Sequence, residues 1–235
     1  MGVDTSRVLV LSDMHHPFAH PDLIPYLKKI KEEFKPTYVV CIGDEIDGHS
    51  YSFHNPSAEL FAPAQELELA IERLKPVYDL FPHCSVVDSN HGSLLARKIK
   101  INGLPISVLR SHKEIIEAPA GWSWTHDLVL NCGGKDVYFH HGMKSNVTML
   151  SKNMSMCAVQ GHYHSRFKIE YWSNPNGLFW GFQVGCLISP DSLAFEYGRN
   201  NMDKPIIGCG IIIEGHPVLL PMELDEKGRW TGRII

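Results

Sequence analysis

The stretch RVLVLSDMHHPFAHPDLIPYLKKIKEEFKPTYVVCIGDEIDG, residues 7–48, decides how this chain folds. Residues 7–11 form an apolar run that stops at Ser12-Asp13, and residues 37–42 form a second that stops at Gly43-Asp44. Short continuous apolar runs closed by polar turns read as strands buried on both faces. Between them, residues 21–34 place Leu23, Ile24, Leu27, Ile30 and Phe34 at helical spacing, with Lys28, Lys29, Lys31 and Glu32 on the other side. Strand, helix, strand implies a right-handed crossover and a parallel pair, because that hand packs the helix back onto a twisted sheet.

Outward from this unit the alternation repeats. Residues 64–80 carry Leu67, Ala70, Ile71, Leu74 and Val77 at helical spacing, and residues 84–87 read as a third strand. Beyond His91 the pattern predicts a helix over 93–100, a second over 104–116, and a loop over 119–125 that holds two tryptophans. Short strands are then predicted at 127–130, 137–139, 158–160, 169–172, 181–184 and 207–213, separated by Gly, Asn and Pro turns. Residues 208–221 read as a closing hairpin with Gly215-His216-Pro217 at its turn. Neither a repeat nor a linker interrupts the chain, so one domain is expected, α/β early and strand-rich late.

Composition narrows the class. With 44% hydrophobic and 20% charged residues, the 235-residue chain is an ordinary globular protein, which excludes disorder, collagen and a disulfide scaffold. Its apolar runs fall far short of the roughly 18 residues that cross a bilayer, so no membrane span and no membrane partner are expected. A net charge of -4 argues against binding polyanions through an overall field. Six cysteines without a CxxC pair, and no secretory signal, point to reduced thiols and a cytoplasmic location. Met1-Gly2 with Ser6 fits a myristoylation pattern and Asn146-Val147-Thr148 and Asn153-Met154-Ser155 fit glycosylation sequons; all three read as chance matches.

The 14 histidines are not spread evenly. Metal-ligating types follow predicted strands directly: Asp13 and His15, Asp44 and Asp47, Asn90 and His91, His140 and His141, His162 and His164. Sites in open α/β sheets lie beyond the carboxyl ends of the strands, so these residues are expected to converge. Carboxylates, an amide and imidazoles without thiolate suit Mn, Fe, Zn, Ni or Co. The donors outnumber the needs of one ion and point to two, about 3.5–4 Å apart, sharing a carboxylate. Taken singly, each motif reads as readily as a surface turn; His16, His20, His49 and His54, each alone, read as loop histidines. Five such elements in one order do not.

In that order the motifs resemble the calcineurin-like metallophosphoesterases, whose signature runs D-x-H, G-D-x-x-D, G-N-H-[D/E], H-G and G-H-x-H. Here they stand as Asp13-Met14-His15, Gly43-Asp44-Glu45-Ile46-Asp47, Ser89-Asn90-His91-Gly92, His141-Gly142 and Gly161-His162-Tyr163-His164. The resemblance implies an α/β fold, a four-layer α/β/β/α sandwich of two mixed sheets with flanking helices, as a single domain over 1–235 with a candidate substrate-selecting insertion at 92–126. It implies two divalent metal ions, manganese first among them. Asp13, His15 and His164 would hold one, Asn90, His141 and His162 the other, with Asp44 bridging and a shared hydroxide as nucleophile. His91 would stabilise charge on the phosphoryl oxygens and protonate the leaving alkoxide, while Asp47 and His140 would support the ligands from behind. The chain departs from the pattern at Ser89 and Gly92, and with Gly92 the acid that usually orients the histidine is missing.

The resemblance implies phosphoester hydrolysis and leaves the ester open. From 92 to 116 five basic residues (Arg97, Lys98, Lys100, Arg110, Lys113) face one acidic residue, Glu114, a local patch suited to gripping phosphate. Beside it Trp122 and Trp124 would either stack on bases or fill core. Arg97, Lys98, Lys144 and Arg166 are the candidate substrate contacts, and a nucleotide or nucleic-acid (DNA or RNA) phosphate is the expected partner. The alternatives are a nuclease of the double-strand-break-repair type and a non-catalytic binding protein on the same fold.

Overall fold

Among the described residues, sixteen helices and strands follow one another: β1 (Arg7–Leu11), α1 (Leu23–Phe34), β2 (Tyr38–Cys41), α2 (Pro63–Leu80), β3 (Cys84–Val87), α3 (Leu94–Ile101), α4 (His112–Ile115), β4 (Trp122–Thr125), β5 (Leu128–Cys132), β6 (Lys135–His140), α5 (Val147–Met154), β7 (Cys157–Gln160), β8 (Phe167–Asn174), β9 (Gly177–Val184), β10 (Gly208–Ile213) and β11 (His216–Pro221). They are those of a computed structural model that describes residues 3–53, 61–192 and 203–234; His54 and Met1-Gly2 lie outside the described residues. One sheet has the order β11-β10-β1-β2-β3-β4 and the other β5-β6-β7-β9-β8. Both are mixed: β1 through β4 pair in parallel while β10 runs antiparallel to β1, and β6, β7 and β9 are parallel between antiparallel edges.

The period of β1 explains the layers. Val8 and Val10 point into a core shared with Phe139, Val159, Phe182 and Ile212, between the two sheets. Leu9 and Leu11 point the other way, onto Tyr26, Leu27 and Ile30 of α1 and Leu74 and Val77 of α2. On the far side of the second sheet, Tyr138 and Ala158 pack on Leu150 of α5. Helices, sheet, sheet and helix thus stack as four layers, the expected α/β sandwich. Because both faces of β1 are buried, its sequence is a continuous apolar run rather than an alternating one.

Four local readings change. Residues 104–116 do not form one helix: a short 3-10 turn covers Ile106–Val108, the backbone is extended at Leu109, and Ser111 starts a new turn by capping Glu114 in a reciprocal capping box. The expected loop at 119–125 contains β4, paired in parallel with β3, and its tryptophans are packed inward. Trp122 is fully buried and donates to the Phe81 carbonyl, while Trp124 donates to Glu45, so both serve the interior rather than base stacking. Asn146, the start of one sequon, caps α5 by accepting from the Thr148 amide, and that helix has no counterpart in the sequence reading. The last hairpin turns at Glu214-Gly215, one residue before the expected position.

The two sheets approach closely at Gly210. A Cβ there would press into the Phe182 ring and come within 3.0 Å of a Val184 methyl. Gly210→Ala is therefore expected to lower stability by about 1–3 kcal/mol through overpacking, read as a lower urea midpoint.

The C-terminal segment is tied back to the start of α1. Asp22 accepts from Arg229 Nε at 2.7 Å and from the Trp230 amide at 2.9 Å, and Trp230 stands edge-on to Tyr26. The Arg229 guanidinium, helped by that amide, holds the Asp22 carboxyl down at about 2. A lowered folded pKa adds stability above the ordinary carboxylate range and loses it as pH falls through the folded value. Asp22→Asn should accordingly be less stable than wild type at pH 7, with the gap between their urea midpoints shrinking as pH is lowered from about 4 towards 2.

Candidate metal centre

The candidate residues sit where β1, β2, β3, β6 and β7 end, all at one edge of the sandwich. The loops after β1 and β2 are laced together: the amides of Asp13, His15 and His16 donate to the carbonyls of Gly43, Asp44 and Glu45 at 3.1, 2.9 and 2.9 Å, and the Asp47 amide returns to His16. These bonds hold Asp13, His15 and Asp44 with φ near +50°, and His162 stands at +64°. Non-glycine residues adopt that left-handed conformation at a cost of roughly 1–3 kcal/mol each, and such residues cluster at functional sites.

Asp44 occupies the middle. Its Oδ1 accepts from the His91 amide at 3.0 Å, and its Oδ2 lies 3.2 Å from His141 Nε2 and 3.6 Å from His15 Nε2. To one side, Asp13 Oδ1 lies 3.0 Å from His164 Nε2, which faces His15 Nε2 at 3.3 Å. To the other, His141 Nε2 faces Asn90 Oδ1 at 2.7 Å and His162 Nδ1 at 3.2 Å. Asp13-His15-His164, His15-Asp44-His91 and Asp44-His141-His162 each bring their donor atoms within 4.8 Å of one another.

The outer nitrogens decide what the inner ones offer. His15 Nδ1–H donates to Asp47 Oδ2 at 2.9 Å, and His141 Nδ1–H donates to the Ile42 carbonyl at 2.8 Å. With those protons committed, neutral rings turn bare Nε2 lone pairs inward. A cation placed between them would be met by His15 and His164 on one side and by His141, Asn90 and His162 on the other, in place of the hydrogen bonds these groups make with one another and with Asp13. The donor set fits two hard or borderline divalent ions.

Protons and cations compete for these imidazoles, because the carboxylates favour positive charge in either form. Burial opposes ionisation of Asp13 and Asp44, yet the surrounding imidazoles hold both carboxyls below their ordinary range. Burial likewise opposes charging His141, but the Asp44 carboxylate outweighs it and lifts the group to about 9; His15 is raised by Asp13, Asp47 and Asp44 against the same penalty. Carboxylates this deep demand positive charge nearby.

His91 stands beside this cluster, a quarter of its side chain exposed, with Nε2 4.0 Å from Asp44 Oδ2. Its Nδ1–H donates to the main-chain carbonyl of Asp47. That carbonyl does the orienting for which the sequence offers no acid at Gly92. Asp47 thus fixes two imidazoles, His15 through its carboxylate and His91 through its carbonyl. His140 faces away from the cluster: it stacks on Tyr138, meets His126 edge-on, and accepts from the Gly142 amide at 3.1 Å.

Of the cationic candidates, Arg97 donates to the Asn90 carbonyl at 2.5 Å and lies with Lys98 over the Phe53 ring. Lys144 and Arg166 are exposed. Lys113 is committed to the carbonyls of Ala120 and Trp122. His16 and His49 are buried, and His20 is tied to the Gly228 carbonyl. Two contributors escape sequence reasoning. Ser12 hydrogen-bonds Asp13 Oδ2. Ser89, a departure from the pattern, accepts from the amides of Asp44 at 2.9 Å and Gly92 at 3.1 Å, clamping the two loops that carry Asp44 and Asn90. Gly43 makes room for it: its φ of +97° suits glycine, and a Cβ there would collide with the Ser89 side chain.

A sequence profile described as calcineurin-like phosphoesterase matches residues 6–216. No curated protein matches the chain. Among solved structures, hypothetical protein PH1004 from Pyrococcus horikoshii OT3 is similar at 11% identity, covering 94% of this chain and 89% of its own, with a TM-score of 0.55. Vacuolar Protein Sorting 29 from Cryptosporidium parvum is similar at 12% identity, covering 98% and 94%, with a TM-score of 0.51. At these identities the likeness concerns the fold.

Removing the Ser89 hydroxyl strands two inward-facing amides. Ser89→Ala should destabilise the protein by about 1–3 kcal/mol, seen as a lower thermal midpoint, whereas Ser89→Thr, which keeps the acceptor, should lose less.

Proposed function

The chain belongs to the calcineurin-like phosphoesterase family, and from that membership we propose that it hydrolyses phosphoesters at a dinuclear centre of divalent cations. The observation that carries the reading is the placement of Asp44 Oδ2 between His15 Nε2 and His141 Nε2, so that one carboxylate touches both donor groups. In this reading Asp13, His15 and His164 hold one ion, Asn90, His141 and His162 the second, and Asp44 both. Bound there, manganese or a similar ion would supply Lewis-acid polarisation of the phosphoryl group and a more acidic water.

The protein's own groups do the rest. Asp47 and the Ile42 carbonyl keep the protons of His15 and His141 on the outer nitrogens, leaving the inner ones free to ligate. His91, anchored at Nδ1 by the Asp47 carbonyl, presents Nε2 to an incoming ester, and in its protonated form donates that proton to the leaving oxygen. Its partial exposure keeps it open to substrate and solvent. Arg97, Lys98, Lys144 and Arg166 are the cations proposed to receive phosphate from a nucleotide or nucleic acid. Trp122 and Trp124 face inward and take no part in gripping bases. The cysteines are free and buried, in keeping with a reducing cytoplasm.

Protein stripped with chelator and reconstituted with Mn, Mg, Zn, Ni or Co is expected to regain turnover, measured on a phosphomonoester, bis-p-nitrophenyl phosphate, nucleotides and single- and double-stranded DNA. Asp44→Asn should abolish it, and His91→Ala should lower kcat roughly a hundred- to ten-thousandfold with metal still bound. The preferred ester separates phosphatase from nuclease. No turnover with any metal, together with no metal by elemental analysis, would replace this reading with that of a binding protein.

A further inference from the structure

Past the site, the segment 94–110 departs from the rest of the surface. It carries Arg97, Lys98, Lys100 and Arg110 and no acidic residue, on a chain whose net charge is -4. Its inner face is anchored: Leu94 is buried, Leu95 and Leu109 pack on the main core, and the Leu104 amide folds back to the Ile99 carbonyl at the end of α3. Its outer face is not. Ile101 is 71% exposed, Leu104 54%, Ile106 53% and Val108 65%, all within eight residues of one another. Large apolar side chains gathered this way on a soluble surface mark an interaction site.

We propose that this segment docks the protein on the surface of an anionic phospholipid bilayer. Lysines and arginines among protruding aliphatic side chains match the two layers of such a surface, the basic groups meeting headgroups and the Ile, Leu and Val side chains entering the acyl boundary. The other occupants fit less well. A second copy of the chain would bring two strongly basic segments face to face across a two-fold axis. Single-stranded nucleic acid would take the charges, but it needs a series of ring faces for its bases, and apart from Phe53, whose ring Arg97 and Lys98 already cover, the apolar side chains here are aliphatic. A peptide seeks a groove that half-covers its anchors, and side chains more than half exposed stand out from the surface instead. The expectation of no membrane partner rests on the lack of a long apolar run, which peripheral contact does not need; among the described residues no helix is long and apolar enough to cross a membrane. Because Arg97 is bonded to the Asn90 carbonyl, docking here would hold the metal centre close to the lipid surface. The proposal rests on this surface alone and does not depend on the phosphoesterase reading.

The test is co-sedimentation of the full chain with vesicles of phosphatidylcholine containing one-third phosphatidylglycerol, against phosphatidylcholine alone. Wild type is expected to pellet with the anionic vesicles at about 0.1 M salt and to be released at about 0.5 M. The pair Ile101→Ser with Val108→Ser should weaken partitioning roughly tenfold, and Lys100→Glu with Arg110→Glu by more than that. Each pair alters exposed side chains, so an unchanged thermal midpoint confirms the fold without recourse to any activity. Absence of wild-type binding to anionic vesicles would overturn the proposal, as would binding that the Ile101/Val108 pair leaves intact. A dimer by light scattering, or an oligonucleotide complex, that the same variants disrupt while vesicles go unbound would assign the surface to that occupant instead.

Discussion

A carboxylate buried where two sheets meet must be answered by positive charge or by several donors, and the arrangement around Asp44 follows from that requirement. Its oxygens receive the His91 amide and lie against the imidazoles of His15 and His141, while its own amide rests on the Ser89 hydroxyl. Every loop that carries a candidate ligand therefore reaches Asp44 directly or through one neighbour. The left-handed backbone at Asp13, His15 and Asp44 is the local consequence. The two loops run side by side, amide to carbonyl, and a relaxed backbone at these positions would turn the side chains elsewhere.

The sandwich makes that convergence feasible. Strand β1 is buried on both faces, against helices on one side and against the second sheet on the other, so its end is fixed from both directions. The parallel run from β1 to β3 brings three loops out at one edge, and β6 and β7 of the facing sheet bring two more. Candidate ligands more than a hundred residues apart meet because strand ends are rigid and the cores beneath them are shared. The outer proton of His15 then goes to Asp47, a residue of the second motif, and that of His141 to the Ile42 carbonyl, which no motif marks.

Much of this is legible in order and little in detail. Residues 7–11, 37–42 and 84–87 show as strands because burial on both faces leaves an unbroken apolar run. The helix over 104–116 does not form because the chain turns extended at Leu109 and Ser111 caps a new turn, a local signal outweighed by the spacing of apolar residues around it. Trp122 and Trp124 look like loop residues until β3 is seen beside them, since a four-residue strand carries too little pattern to announce itself. Asn146 shows in the sequence only as a chance sequon, and it becomes a helix cap because α5 packs Leu150 against the second sheet.

At the centre the same division holds. The identities of the donors, their order and their position at strand ends belong to the amino-acid sequence, as does the fold class. Which nitrogen of each imidazole faces inward, why His141 and not His140 turns to Asp44, and what holds His91 in the absence of an acid at Gly92 were decided by tertiary structure. A strand's alternation shows that neighbouring side chains point apart, but not which face meets the other sheet. The hydrogen bond that sets the His141 tautomer comes from a carbonyl 99 residues away, at Ile42, and the one that orients His91 comes from a main-chain atom common to every residue. Groups of that kind have no signature in sequence, because their chemistry is generic and only their placement is particular.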